Sequence, residues 1–105
     1  MTSRILAGLA TNGPLLDQPV PAAELAMLTG RFDSDDGIVE TFSRDGKLLF
    51  RIPGRQIEGV QRRRAENVYA INENSEVHFV ISQGKAEWGL LYVGGLFLDA
   101  KYRIN

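Results

Sequence analysis

Ser82 and Lys85 are separated by two residues in the stretch ISQGKAEW, residues 81–88. This Ser-x-x-Lys spacing supplies the nucleophile and its basic partner in one large class of serine hydrolases. There the serine begins a buried helix, and one helical turn brings the lysine amine onto the hydroxyl. Here Gln83-Gly84 indicates a turn between two strands. We therefore expect a solvated hairpin end and no catalytic residue; a hydrolase that uses Ser82 and Lys85 is the remote alternative.

Two other parts of the sequence contain residue types that bind metal ions. The stretch DSDDG, residues 33–37, places Asp33 and Asp35 at calcium-ligand spacing, but its glycine comes one residue early and Arg44 occupies the position of the bidentate acid. His78 is the only histidine, and no second ligand stands near it at metal-binding spacing. The sequence predicts no metal site and no cofactor.

The near-neutral overall charge excludes a long-range electrostatic field that would attract polyanions such as nucleic acids. Twelve basic and 13 acidic residues leave a net charge of -1, and the arginine run 62–64 is followed at once by Glu66. Three consecutive residues of a strand cannot share one face. We expect neither nucleic-acid nor membrane binding. No signal peptide is visible, so the localisation is open, and cytoplasmic if this is the full native chain.

The spacing of the apolar residues changes near residue 28. Residues 1–21 contain a short helical pattern, with Ile5, Leu6 and Leu9 on one face, and then a proline-rich linker. A second short helix is predicted over residues 21–28. Such short helices are unstable alone, so we expect Ile5, Leu6 and Leu9 to contact the barrel or a second copy of the chain. The predicted β-domain covers residues 22–105.

Alternating apolar residues separated by turn signals follow from Gly30 onward, with Asp45-Gly46 as the strongest hairpin signal. Every connection is too short for a parallel crossover. The pattern predicts an all-β fold: an eight-stranded antiparallel up-and-down (lipocalin-like) barrel, or a strongly curved meander, after a short N-terminal helical segment. The predicted strands are residues 30–34, 37–44, 47–53, 56–63, 67–72, 76–82, 86–93 and 96–104.

A barrel of eight strands has an interior that side chains fill, or that leaves space for one small ligand. Aromatic and large aliphatic residues on the predicted strands are the candidates to line such a cavity, although the same residues also serve as ordinary core. The candidates are Phe50, Phe79, Trp88, Leu90, Tyr92 and Tyr102.

Residues 22–105 resemble the lipocalin-like β-domain found at the C-terminus of many β-lactamase-related (penicillin-binding-protein-like) serine hydrolases. The stretch RILAGLATNGP (4–14) is similar to the last helix of the hydrolase catalytic domain, and LLDQPVP (15–21) to the linker that follows. The motifs that carry the resemblance are Leu28-Thr29-Gly30-Arg31-Phe32, Asp45-Gly46-Lys47-Leu48, Ile52-Pro53-Gly54 and Gly95-x-x-x-x-Ala100-x-x-Arg103-Ile104.

The resemblance implies an accessory domain that packs against a catalytic domain and carries no catalytic residue itself. The expected function is thus a non-catalytic binding or interaction module that self-associates or binds a hydrolase catalytic domain. The alternative is a small carrier that holds a hydrophobic ligand inside the barrel.

Overall fold

Eight antiparallel strands form a closed barrel in a computed structural model of the protein, and each strand pairs with its neighbour in the chain. The structure describes residues 17–35 and 37–104. The all-β, eight-stranded prediction is confirmed, and the sheet is closed. The elements are α1 (Ala22–Leu28), β1 (Gly30–Ser34), β2 (Gly37–Arg44), β3 (Lys47–Ile52), a 3-10 turn (Pro53–Arg55), β4 (Ile57–Ala65), β5 (Val68–Asn72), β6 (Ser75–Ser82), β7 (Lys85–Val93) and β8 (Leu96–Arg103).

Two-residue turns account for the tightest connections. Asp45 and Gly46 have φ values of 54° and 74°, and Gln83 and Gly84 have φ values of 55° and 81°. Positive φ at both central residues matches the right-handed twist of the flanking strands, and the Asp-Gly pair adopts it readily. These turns therefore fix the register of the β2–β3 and β6–β7 hairpins.

The barrel closes where β1 meets β8. Among the described residues this seam holds two residue pairs, Phe32 with Arg103 and Asp33 with Tyr102, and the Ile104 N–H donates to the Arg31 carbonyl. In comparison, β6 and β7 pair along their whole length. The short β1 strand is the reason, since it ends at Ser34 while β8 continues past it.

Helix α1 covers one end of the barrel. Its seven residues are too few for a stable isolated helix, so its stability comes from packing. Leu28 is fully buried in the core cluster, which also contains Phe32, Leu48, Tyr69, Val77, Phe79 and Ala86. We call this the helix end; it also carries the β2–β3, β4–β5 and β6–β7 turns. The opposite end is called the far end. Among the residues described, no helix has the length and apolar character needed to cross a membrane.

Candidate functional site

A cavity of about 210 Å³ lies inside the barrel, beyond the core cluster and toward the far end. Each lining residue belongs to the inward face of its strand, as the two-residue period of a β-strand requires. Its walls come from all eight strands: Phe32, Ser34, Val39, Thr41, Phe50, Ile52, Gln61, Ile71, Ser75, Phe79, Gly89, Leu91, Asp99 and Lys101.

Apolar side chains form most of the cavity wall. Phe32, Val39 and Phe79 are buried, and the rings of Phe32 and Phe79 lie 6.2 Å apart at a tilted angle. Phe50 and Leu91 are half-buried on opposite sides of the barrel. An apolar wall of this kind favours an apolar occupant, because filling the space removes apolar surface from water.

Gln61 places an unpartnered amide in this wall. Its side chain is 3% exposed, and Nε2 is buried without a hydrogen-bond partner. A buried donor without an acceptor costs about 1–3 kcal/mol relative to a satisfied one. Thr41 lines the same cavity, but its hydroxyl already donates to the Leu28 carbonyl. The Gln61 amide nitrogen is thus the buried side-chain donor that lacks a partner among the described residues of this wall.

One of the two glycines beside the interior aromatic rings, Gly59, creates room that a ring needs, whereas Gly89 lies at ordinary contact distance from its ring. A Cβ atom at Gly59 would stand 2.8 Å from Cε1 of Phe50, so the ring occupies the space over the Gly59 backbone. A Cβ atom at Gly89 would be 3.5 Å from Cε1 of Phe79. Gly59 therefore sets the position of the Phe50 ring, and through it the width of the cavity.

Glu24 is the centre of a polar cluster at the helix end. Its carboxylate accepts two hydrogen bonds of 3.0 Å from the Arg63 guanidinium, one of 2.5 Å from the Tyr69 hydroxyl and one of 3.2 Å from the Asn67 backbone N–H. Burial acts to raise the pKa of Glu24, but these hydrogen bonds outweigh it and lower that pKa. Burial and the bond to Glu24 raise the pKa of the Tyr69 hydroxyl. This cluster fastens α1 and has no unpaired carboxylate for chemistry.

Arg103 fastens the same helix from β8. Its guanidinium donates to the carbonyl oxygens of Met27 at 3.1 Å and Thr29 at 2.9 Å, and also to that of Ala86. The guanidinium carbon lies 5.1 Å from the centre of the Phe32 ring. Burial lowers the pKa of Arg103.

The structure separates the six residues predicted to line a cavity into two groups. Phe50 and Phe79 line it. Trp88, Leu90 and Tyr102 stand on the outer face instead: Trp88 pairs with Tyr102, and their rings are 4.8 Å apart. Tyr92 is also on the outer face, where its ring lies 4.6 Å from that of His78.

An irregularity in the β6–β7 ladder explains this difference. Val80 pairs with Trp88, but the next residue, Ile81, pairs with Ala86, so Glu87 is the extra residue of a bulge. Ala86 consequently faces the core, while Trp88 faces outward although it is two residues further along the strand. Strict alternation from Ala86 would have placed Trp88 inside.

The other sequence motifs lie on the surface. Ser82 and Lys85 are exposed partners that flank the Gln83-Gly84 turn, so the helical geometry of a Ser-x-x-Lys dyad is absent from this hairpin. Each arginine of the run 62–64 has an acidic neighbour: Arg62 is 3.8 Å from Asp17, Arg63 is 3.0 Å from Glu24 and Arg64 is 3.5 Å from Glu76. Ile5, Leu6 and Leu9, the predicted interface residues, lie outside the described residues.

Comparison with protein families, with curated proteins and with solved structures found no match to this chain. Within residues 17–35 and 37–104, no group of three or more histidine or acidic side chains has an arrangement that could hold a metal ion.

Sequence analysis missed Gln61 and Glu24. Both are polar residues in amphipathic segments, where polar side chains ordinarily face water. One signal for Gln61 was available, because it shares its strand face with Gly59, a residue without a side chain that leaves interior space beside it. No comparable pattern marks Glu24, whose burial depends on Arg63 and Tyr69, 39 and 45 residues away.

Proposed function

We propose that the protein is a non-catalytic binding module whose barrel holds a small, mainly apolar molecule with one hydrogen-bond acceptor. The observation that carries the proposal is the unpartnered Gln61 amide in the wall of an otherwise apolar cavity. Apolar burial supplies affinity, and the amide orients the acceptor of the ligand.

The size of the cavity limits the ligand. A cavity of 150 Å³ accommodates benzene, so the 210 Å³ here corresponds to about eight or nine non-hydrogen atoms. An aryl ketone or a short-chain ketone, ester or carboxylic acid has this size and carries the acceptor. Long-chain lipids exceed it.

Acetophenone and isopropylbenzene provide a matched pair of probes, because they share one heavy-atom skeleton and differ in the carbonyl oxygen. We expect acetophenone to bind with a dissociation constant on the order of 1 mM or tighter. Titration followed by protein NMR measures both affinities and shows whether the cavity-lining residues shift. Absence of shifts at saturating acetophenone would overturn the proposal.

Two variants separate the role of Gln61 from general packing. Gln61→Leu removes the donor, so the preference for acetophenone over isopropylbenzene is expected to fall about tenfold. Thr41→Val is the control, since its hydroxyl is already bonded to the Leu28 carbonyl. It is expected to leave the preference unchanged. An unchanged preference in Gln61→Leu would contradict the assigned role of the amide.

A second candidate function is an interaction module, the role implied by the resemblance to the accessory domain of serine hydrolases. The observation that favours it is a group of exposed hydrophobic residues on β8, of which Leu96 is 75% exposed. In that role the partner is either a second copy of the chain or a hydrolase catalytic domain.

A further inference from the structure

The first half of β8 is paired on one side only. β7 pairs with it, but the ladder from β1 reaches no further than Tyr102 and Arg103. Within the described residues, the segment Leu96–Ala100 therefore has no strand on its second side. We call this segment the β8 edge. A free edge presents backbone N–H and C=O groups that another strand can pair with.

The β8 edge also carries the most exposed large hydrophobic side chains of the described chain. Leu96 is 75% exposed, Leu98 63% and Phe97 57%. Three such residues in succession on a free edge are unusual, because natural proteins protect edges with charges, proline or a covering element. The composition therefore points to an edge that is covered by a partner.

The neighbouring outer surface of β7 and β8 is apolar as well. We call it the aromatic face, and it consists of Trp88, Leu90, Tyr92, Phe97 and Tyr102. Its rings contact one another, with Trp88 and Tyr102 4.8 Å apart and Tyr92 and Phe97 5.8 Å apart. It is continuous with the β8 edge through Phe97.

Charged side chains of β8 are directed away from this face. Asp99 and Lys101 line the interior cavity, and Arg103 bonds to α1. The outer surface of β2–β4 is the opposite case, with ion pairs of 2.9 Å between Arg51 and Glu40 and 3.2 Å between Arg44 and Glu58. The aromatic face can thus lie beside an identical face, on the same side of a continuous sheet, without repulsion between like charges.

We propose that two copies of the chain associate through their β8 edges, with the aromatic faces packed beside the new strand pair. A two-fold axis makes two identical edges antiparallel, so each unpaired backbone group finds its counterpart in the other copy. Leu96, Phe97 and Leu98 are 57–75% exposed at this edge, and this exposed surface supplies the apolar centre of a small interface, which needs roughly 600 Å² per partner. The proposal is independent of the cavity ligand.

Analytical ultracentrifugation of the full chain across a concentration series measures the association directly. We expect a dimer, and we expect Leu98→Lys to weaken it about tenfold or more, because the ammonium group would be buried at the pair. Ile57→Lys is the matched control: Ile57 is 43% exposed on β4, away from the β8 edge. It should leave the dimer unchanged. A chain that stays monomeric at about 100 μM overturns the proposal.

Cross-linking then locates the interface. The chain has no cysteine, so Leu98→Cys introduces a single thiol near the expected two-fold axis. We expect a short bifunctional maleimide to give a covalent dimer with Leu98→Cys and none with Ile57→Cys. Equal yields from the two variants would overturn the proposal. A dimer that is dissociated by Leu6→Lys but not by Leu98→Lys would overturn the proposal and place the interface in the N-terminal segment. A monomer that binds a hydrolase catalytic domain through Leu98 would overturn it in favour of the accessory role.

Discussion

The polar cluster at the helix end is paired in full, whereas the cavity wall and the β8 edge keep polar groups without partners. At the helix end, the Glu24 carboxylate has three different partners and Arg103 donates to three carbonyl oxygens. In the cavity wall, Gln61 keeps an unpartnered amide nitrogen, and at the far end the β8 edge has no second strand within the described residues. The helix end therefore fastens α1 to the barrel, although Asn67 Oδ1 is buried there without a partner among the described residues, whereas the cavity wall and the β8 edge retain groups that a binding partner can complete.

Truncating one leucine at each end of the barrel is expected to give the largest difference in unfolding free energy. Leu28→Ala removes a fully buried side chain from the core cluster and is expected to cost about 3 kcal/mol of unfolding free energy. Leu96→Ala trims a side chain that is 75% exposed and should change it by less than about 0.5 kcal/mol in the monomer. Urea unfolding at low protein concentration measures both. Similar losses would mean that the far end contributes to folding as the helix end does.

The Glu24 cluster predicts a pH dependence. Its folded-state pKa lies below the ordinary value of 4.5, so its stabilisation is complete above about pH 4.5 and is lost as the pH falls through the folded-state pKa. Glu24→Gln is expected to cost about 2 kcal/mol at neutral pH. The difference between the two proteins should narrow in acid, as urea midpoints at about pH 7 and about pH 3 will show. A constant difference would contradict this assignment.

Gly59→Ala tests whether the cavity depends on a missing side chain. The added methyl group would displace the Phe50 ring, at a cost of about 1–2 kcal/mol. The displaced ring would enter the cavity, so acetophenone binding should weaken as well. Gly54→Ala is the control, because no atom lies within 4 Å of its Cβ position. NMR titration of both variants compares their affinities; equal affinities would show that Gly59 does not set the cavity width.

Gln61→Leu is expected to have the smallest effect on stability, and an effect of opposite sign. Removing an unpartnered buried donor relieves its desolvation cost, so the unliganded variant should equal the wild type or exceed it by about 1 kcal/mol. Thermal unfolding without ligand measures this. Destabilisation of the size expected for Glu24→Gln would mean that the cavity wall depends on its polar group as the helix end does.

The fold followed from the sequence because its signals are local. Asp45-Gly46 specifies a turn by its own backbone preference, Gly84 permits one after Gln83, and the two-residue period marks the strands between the turns. Strands β1 and β2 have the predicted bounds, and the remaining strands differ from prediction by at most two residues at any end.

The site was harder to predict because both faces of β7 are apolar. Trp88, Leu90 and Tyr92 alternate with Gly89 and Leu91, and hydrophobicity alone does not decide which set faces the interior. The bulge at Glu87 decides it, together with the pairing of Gly89 with the inward-facing Phe79. Both depend on residues brought together from different strands, which no local pattern encodes.

The short β1–β8 seam has a consequence for folding kinetics. Every other strand pair joins neighbours across a short turn, whereas Arg103 reaches the Thr29 carbonyl across 74 residues of chain. Loop-closure entropy grows with the logarithm of loop length, which makes this closure more costly by about 2–3 kcal/mol than that of a four-residue hairpin. The hairpins are thus expected to form first and the barrel to close last, when β8 pairs with β1 and Arg103 bonds to the helix end.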